Sequence, residues 1–214
     1  MPATFAKWSA SVPDDFRFTL KLWRGITHEK NFHFALPDID SFMQAANHIG
    51  LKKGCLLIQL PPSLTAKMSG QLDKALQRVR QSDPEHSWKI AVEFRSRTWY
   101  TNQVYDLLQQ YGASMVLHDM PASGTTGLHR RTSHSSIEPA FLAERAPFIY
   151  IRFHGPEGDY KGGYSDEFLC AYSKQIRVWL SQGKDVYLYF NNTIGDAITN
   201  LATLKTLVEQ PVTG

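Results

Sequence analysis

Strand-like and helix-like segments alternate along this chain from one end to the other, and that alternation admits few folds. Strand-like runs occupy residues 16–23, 55–60, 89–95, 114–119, 148–154 and 185–191. Helical patterns fall near residues 4–11, 38–49, 63–81, 98–111, 166–181 and 196–209. Asp38 and Ser63 read as helix N-caps, Pro61 and Pro62 end the second strand, and Gly112 closes the helix before it. Regular alternation implies parallel strands joined by helical crossovers, which leaves an open doubly wound sheet or a barrel.

The strands separate these two. A strand buried on both faces in an open sheet reads as a continuous apolar run. Here one face is apolar and the other becomes polar toward the carboxyl end. In residues 148–155, Phe-Ile-Tyr-Ile-Arg-Phe-His-Gly, Ile149, Ile151 and Phe153 point one way while Tyr150, Arg152 and His154 point the other. Ile90, Val92 and Phe94 likewise oppose Ala91, Glu93 and Arg95, and Phe16, Phe18, Leu20 and Leu22 oppose Arg17, Thr19, Lys21 and Trp23. Polar groups at several strand ends suit the cup of a TIM-barrel-like fold. No Gly-x-Gly-x-x-Gly or Walker-type loop follows the first strand, which argues against a dinucleotide or nucleotide fold.

The 214 residues suit one domain spanning 1–214. A net charge of +3, without a run of like charges, does not point to nucleic acid by itself. Two cysteines, Cys55 and Cys170, are too few for a disulfide framework and read as small core residues. There is no signal-like amino terminus and no apolar run long enough to span a membrane, so a cytoplasmic location is expected.

The polar strand ends carry the chemistry. Glu93 and Arg95 share a face two residues apart, as general base and anion clamp or as an internal ion pair. Arg152 and His154 repeat that spacing. Lys21, Arg95 and Arg152, with His28 and His154, outnumber the acids Glu93 and Asp119, and this excess favours an anionic ligand bearing phosphate or carboxylate. Gln59 is a lone polar residue in an apolar strand, able to bond a ligand or a neighbouring charge. Asn191 is expected in the pocket and Asn192 as a loop cap.

Trp23, Trp99, Tyr100, Tyr160 and Tyr164 lie in or beside loops at the same end, where aromatic rings can stack on a sugar or base. The run Tyr160-Lys161-Gly162-Gly163-Tyr164 reads as a tight or mobile loop. Candidate metal ligands are His28, Glu93, His118, Asp119 and His154, but no His-x-x-x-His or Cys-x-x-Cys spacing supports a metal and the nearby cations oppose one, so neither metal nor cofactor is expected. Ser133, His134, Ser135 and Ser136 read as loop.

The stretches FRFTLKLWRGITH (16–28), LLIQLPP (56–62), AVEFRSRTWY (91–100), Asp119-Met120-Pro121, YIRFHG (150–155), YKGGY (160–164) and YLYFNNTIGDAITN (187–200) together resemble the YecE-like family, the domain of unknown function numbered seventy-two. The resemblance implies a TIM-barrel-like fold and supplies no established reaction. Family members carry two further amino-terminal strand units, with Gly-Thr-Ser-Gly-Trp-like and Asn-Ser-Thr-Phe-Tyr-like segments, that are absent here. An incomplete barrel of about six strands is therefore expected, open on one side, so that either the chain self-associates through the open edge or the natural chain carries further amino-terminal residues that fill it.

The expected function is binding of an anionic small molecule or nucleic-acid-derived ligand at the strand carboxyl ends. Lys21, Trp23, His28, Gln59, Arg95, Arg152, Tyr164 and Asn191 would contact it. In an enzyme, Glu93 or His154 would move protons and Asp119 would orient His154. The alternatives are metal-assisted phosphodiester cleavage, as in an endonuclease, and a non-catalytic anion sensor.

Overall fold

The structure, a computed structural model, describes residues 2–119, 144–156 and 159–210. Its contacts divide the chain into two compact units, Met1–Met115 and Val116–Gly214. The fold is α/β of the TIM-barrel-like class, with parallel strands and intervening helices.

The first unit holds α1 (Pro2–Ala10), β1 (Phe18–Lys21), a one-turn helix α2 (Arg24–Thr27), α3 (Leu36–Ala46), β2 (Lys53–Leu60), α4 (Ser69–Gln81), β3 (Lys89–Phe94), α5 (Asn102–Gln110) and β4 (Ala113–Met115). Its sheet is parallel throughout, in the order β1-β2-β3-β4. Residues 54–58 of β2 and 90–94 of β3 are all buried, as expected when both faces of a strand are covered.

The amino end of this sheet is tied together by Asp83, which is 2% exposed. Its carboxylate accepts from the Trp88 amide (2.8 Å) and from the Ser87 hydroxyl, and faces Arg80 at 3.7 Å and Lys53 at 4.0 Å. Arg80 donates to the carbonyls of Tyr111, Trp88 and Gly112. Trp88 is fully buried and donates its indole N–H to Asn47 Oδ1 at 3.0 Å.

The second unit holds β5 (Leu117–Asp119), β6 (Ile149–Phe153), α6 (Asp166–Ser181), β7 (Val186–Phe190) and α7 (Ala197–Glu209), with a parallel sheet in the order β5-β6-β7. Register puts Leu117, Ile151 and Leu188 side by side, and Phe153 beside Phe190. This face packs on α6, where the Phe153 ring lies 4.8 Å from Tyr172 and 5.8 Å from Phe168. Ser165 caps α6 by accepting from the Phe168 amide, and Asp166 and Glu167 sit in the first turn, where the helix dipole favours acids.

The helix over 166–181 falls where the sequence predicts it. Several other elements differ. The run 114–119 divides at Val116, because Ala113–Met115 pairs with β3 and Leu117–Asp119 with β6, so six expected strands become seven segments among the described residues. The run 16–23 contracts to Phe18–Lys21, since Trp23 already opens α2. Asp38 is no cap: α3 begins at Leu36, and Pro37 and Asp38 both lie in its first turn. Ser63 caps nothing, because Ala66–Met68 forms a 3-10 turn ahead of α4. Gly112 ends α5 as expected, at φ 56°. Met120, Pro121 and Ser133 to Ser136 lie outside the described residues. No described helix is long and apolar enough to cross a membrane.

Candidate functional site

Parallel strands deliver their polar residues to the carboxyl edge of a sheet, and both sheets do so. In the first unit, Lys21 is the last residue of β1 and stands in register with Leu57. Its long side chain reaches one pleat onward along β2, where Nζ donates to Gln59 Oε1 at 3.0 Å. Gln59 is paired in register with Glu93, so β2 and β3 hold them side by side. Glu93 is fully buried and forms an ion pair with Arg95, just past the end of β3. A carboxylate at this depth requires such a partner.

His28 ends the short α2 helix, with Nδ1 2.8 Å from the Thr27 hydroxyl. Burial, then the positive charge of Lys21, then that of Arg24, hold its proton affinity below the usual histidine value. Burial is the larger cause, and the two cations at the end of β1 add to it. Sequence patterning singled out Lys21 and His28 and missed Arg24, although its place one residue after Trp23 puts it in the same loop.

Trp23 remains 56% exposed. Its indole lies across Gly25, where a Cβ would come within 2.6 Å of the ring. The ring overlooks a cleft of about 520 Å³ that also holds Glu29, His33, Phe34 and Asp38. Trp99 and Tyr100 are core residues: Trp99 is fully buried, stacks on Phe94 at 4.7 Å and donates to the Leu64 carbonyl.

In the second unit, register sets His118, Arg152 and Tyr189 abreast and Asp119 beside Phe153. His118 is thus the neighbour of Arg152 across the ladder, a pairing that patterning alone did not reveal. The side chain of Asp119 lies outside the described residues. Arg152 donates from Nη2 to Asn191 Oδ1 at 3.2 Å. His154, immediately beyond β6, is fully buried, with its ring 6.2 Å from His118 and 5.1 Å from Tyr160.

The loop at 160–164 is tight. The Tyr160 amide donates to the His154 carbonyl, the Gly162 amide to Ile194, and Asn192 Nδ2 to the Gly162 carbonyl at 2.7 Å. Asn192 thus ties two loops together. Tyr164 is buried and its hydroxyl accepts from the Gly155 amide at 2.9 Å, while Tyr160 stays 40% exposed.

A family model described as "Protein of unknown function DUF72" matches residues 1–214. The chain is similar to the UPF0759 protein YunF of Bacillus subtilis, at 23% identity over 97% of this chain and 78% of that protein. It also superposes on two solved DUF72 family proteins. TM1631 of Thermotoga maritima gives a TM-score of 0.71 at 24% identity, covering 98% of this chain and 80% of that one. EF0366 of Enterococcus faecalis gives 0.75 at 20% identity, covering 98% and 85%. At these identities the superpositions speak for the fold alone.

Proposed function

The chain belongs to the DUF72 family, whose name assigns no activity, and we propose that this member binds an anionic small molecule, bearing phosphate or carboxylate, at the carboxyl ends of its parallel strands. One observation carries the reading: at the carboxyl edge of the first sheet Lys21 and Arg95 are each held by a neighbouring side chain, Gln59 and Glu93 respectively. A cation oriented by its neighbours loses less freedom on binding than a mobile one. After burial, the charges of Lys21 and Arg24 further depress the proton affinity of His28, which fits the same sign of field. In open and barrel α/β folds this edge is where ligands bind. The reading extends to the second sheet, where Asn191 holds Arg152. Glu93 at the edge of the first sheet, and His154 at that of the second, are each able to move a proton beside a ligand bound at its own sheet.

The test is calorimetric titration of the full chain with inorganic phosphate and with pyrophosphate. Saturable binding that Lys21→Met weakens, with unchanged thermal unfolding, supports the reading. Equal affinity in wild type and Lys21→Met rules Lys21 out as an anion contact.

A further inference from the structure

The cleft that holds Trp23 opens two residues past Lys21, the last residue of β1, and has a different chemistry. Trp23 offers a broad apolar ring face to solvent, and Gly25 lets that ring lie flat on the α2 turn. The platform is therefore set before any ligand arrives. The cleft, about 520 Å³, falls within the range of small-molecule sites. Its remaining polar lining includes the carboxylates of Glu29 and Asp38 and the imidazole of His33. Carboxylates accept hydrogen bonds from hydroxyl groups, and an indole face packs against the C–H face of a pyranose or furanose ring.

A simple cation would also suit a ring flanked by carboxylates. It is disfavoured by the cations Lys21 and Arg24, which stand within two residues of Trp23 in the chain. A ligand that is anionic at one end and rich in hydroxyls at the other satisfies both halves. We propose that the ligand is a phosphorylated sugar, its ring stacked on Trp23 with hydroxyls donating to Glu29 and Asp38, and its phosphate at the Lys21 edge. This rests on the anion reading above and names the class of molecule that carries the anion.

The experiment compares inorganic phosphate, glucose, glucose 6-phosphate, ribose 5-phosphate and adenosine monophosphate by calorimetry on the full chain. Trp23→Ala removes the platform. Gly25→Ala keeps every polar group and an ordinary backbone but pushes the indole off its seat. The expected result is that at least one sugar phosphate binds wild type tenfold or more tighter than inorganic phosphate. Both variants should cut that advantage to threefold or less, with inorganic phosphate affinity held within twofold.

The same advantage in Trp23→Ala as in wild type overturns the proposal. So does a tenfold preference for the nucleotide over both sugar phosphates that Trp23→Ala abolishes, since the ring would then be stacking a base. Trp23-dependent binding of glucose with no response to phosphate keeps the sugar platform and overturns the anion reading. Absence of binding by phosphate and both sugar phosphates overturns both.

Discussion

The two ends of the first sheet use charge in opposite ways. At the amino end, Arg80 donates to the carbonyls of Tyr111, Trp88 and Gly112, and Asp83 accepts from the Trp88 amide and the Ser87 hydroxyl while facing Arg80 and Lys53. Burial lowers the proton affinity of Arg80, and the charge of Asp83 opposes that loss. At the carboxyl end, Lys21 meets the head of Gln59 and Arg95 the head of Glu93. Charges that bond to backbone close the chain on itself. Lys21 and Arg95 instead meet side-chain heads at the carboxyl edge of the sheet. The difference matches the general division of such folds into a stabilising amino face and a functional carboxyl face.

The largest expected effect lies at the amino end. Asp83→Ala leaves Arg80 and Lys53 facing an empty site and should cost about 3–5 kcal/mol, the range for breaking a buried pair. Urea unfolding measures it. A loss below about 1 kcal/mol would mean that the amino end is not the structural half of the contrast. Where the variant folds, phosphate affinity should match wild type.

At the carboxyl end the pattern reverses. Lys21→Met should weaken phosphate binding by about 1.5–3 kcal/mol, the value of a hydrogen bond to a charged group, and change stability by no more than about 0.5 kcal/mol. Arg152→Ala tests the edge of the second sheet and should cost a similar share of anion affinity. If either change destabilises the fold without touching affinity, that edge is structural too.

The smallest effect is the most local. His28 should titrate below its ordinary value of about 6.5, and Lys21→Met should raise its midpoint while leaving the part due to burial. Carbon-detected NMR of the imidazole reads this directly. Because the folded value is depressed, the unfolded chain takes up the proton first as pH falls. Stability from this group is therefore complete above about pH 6.5 and declines as pH drops from there toward the folded value. His28→Gln should flatten the pH dependence of unfolding in that window.

Local chemistry explains which features were legible in the sequence. The α6 helix over 166–181 was readable because its signals are adjacent residues: Ser165 as cap, two acids in the first turn, and an apolar repeat behind them. Lys21, Arg95 and Arg152 were readable as strand-end cations because alternation fixes which face they share. Long-range register was not. Alternation cannot tell that Lys21 reaches Gln59, that Arg152 stands beside His118, or that the strand at 114–119 changes partner at Val116. Nor does loop position distinguish Trp23 from Trp99. One indole is held outside by the α2 turn, and the other is stacked on Phe94.

The central claim is that the carboxyl edge of the first sheet receives an anion. Amide chemical-shift mapping with inorganic phosphate tests it most directly. The account predicts saturable shifts centred on residues 21–28, Gln59 and Arg95, with Lys53, Arg80, Asp83 and Lys89 unmoved. Shifts centred on the amino-end set, or none at millimolar phosphate, would contradict it.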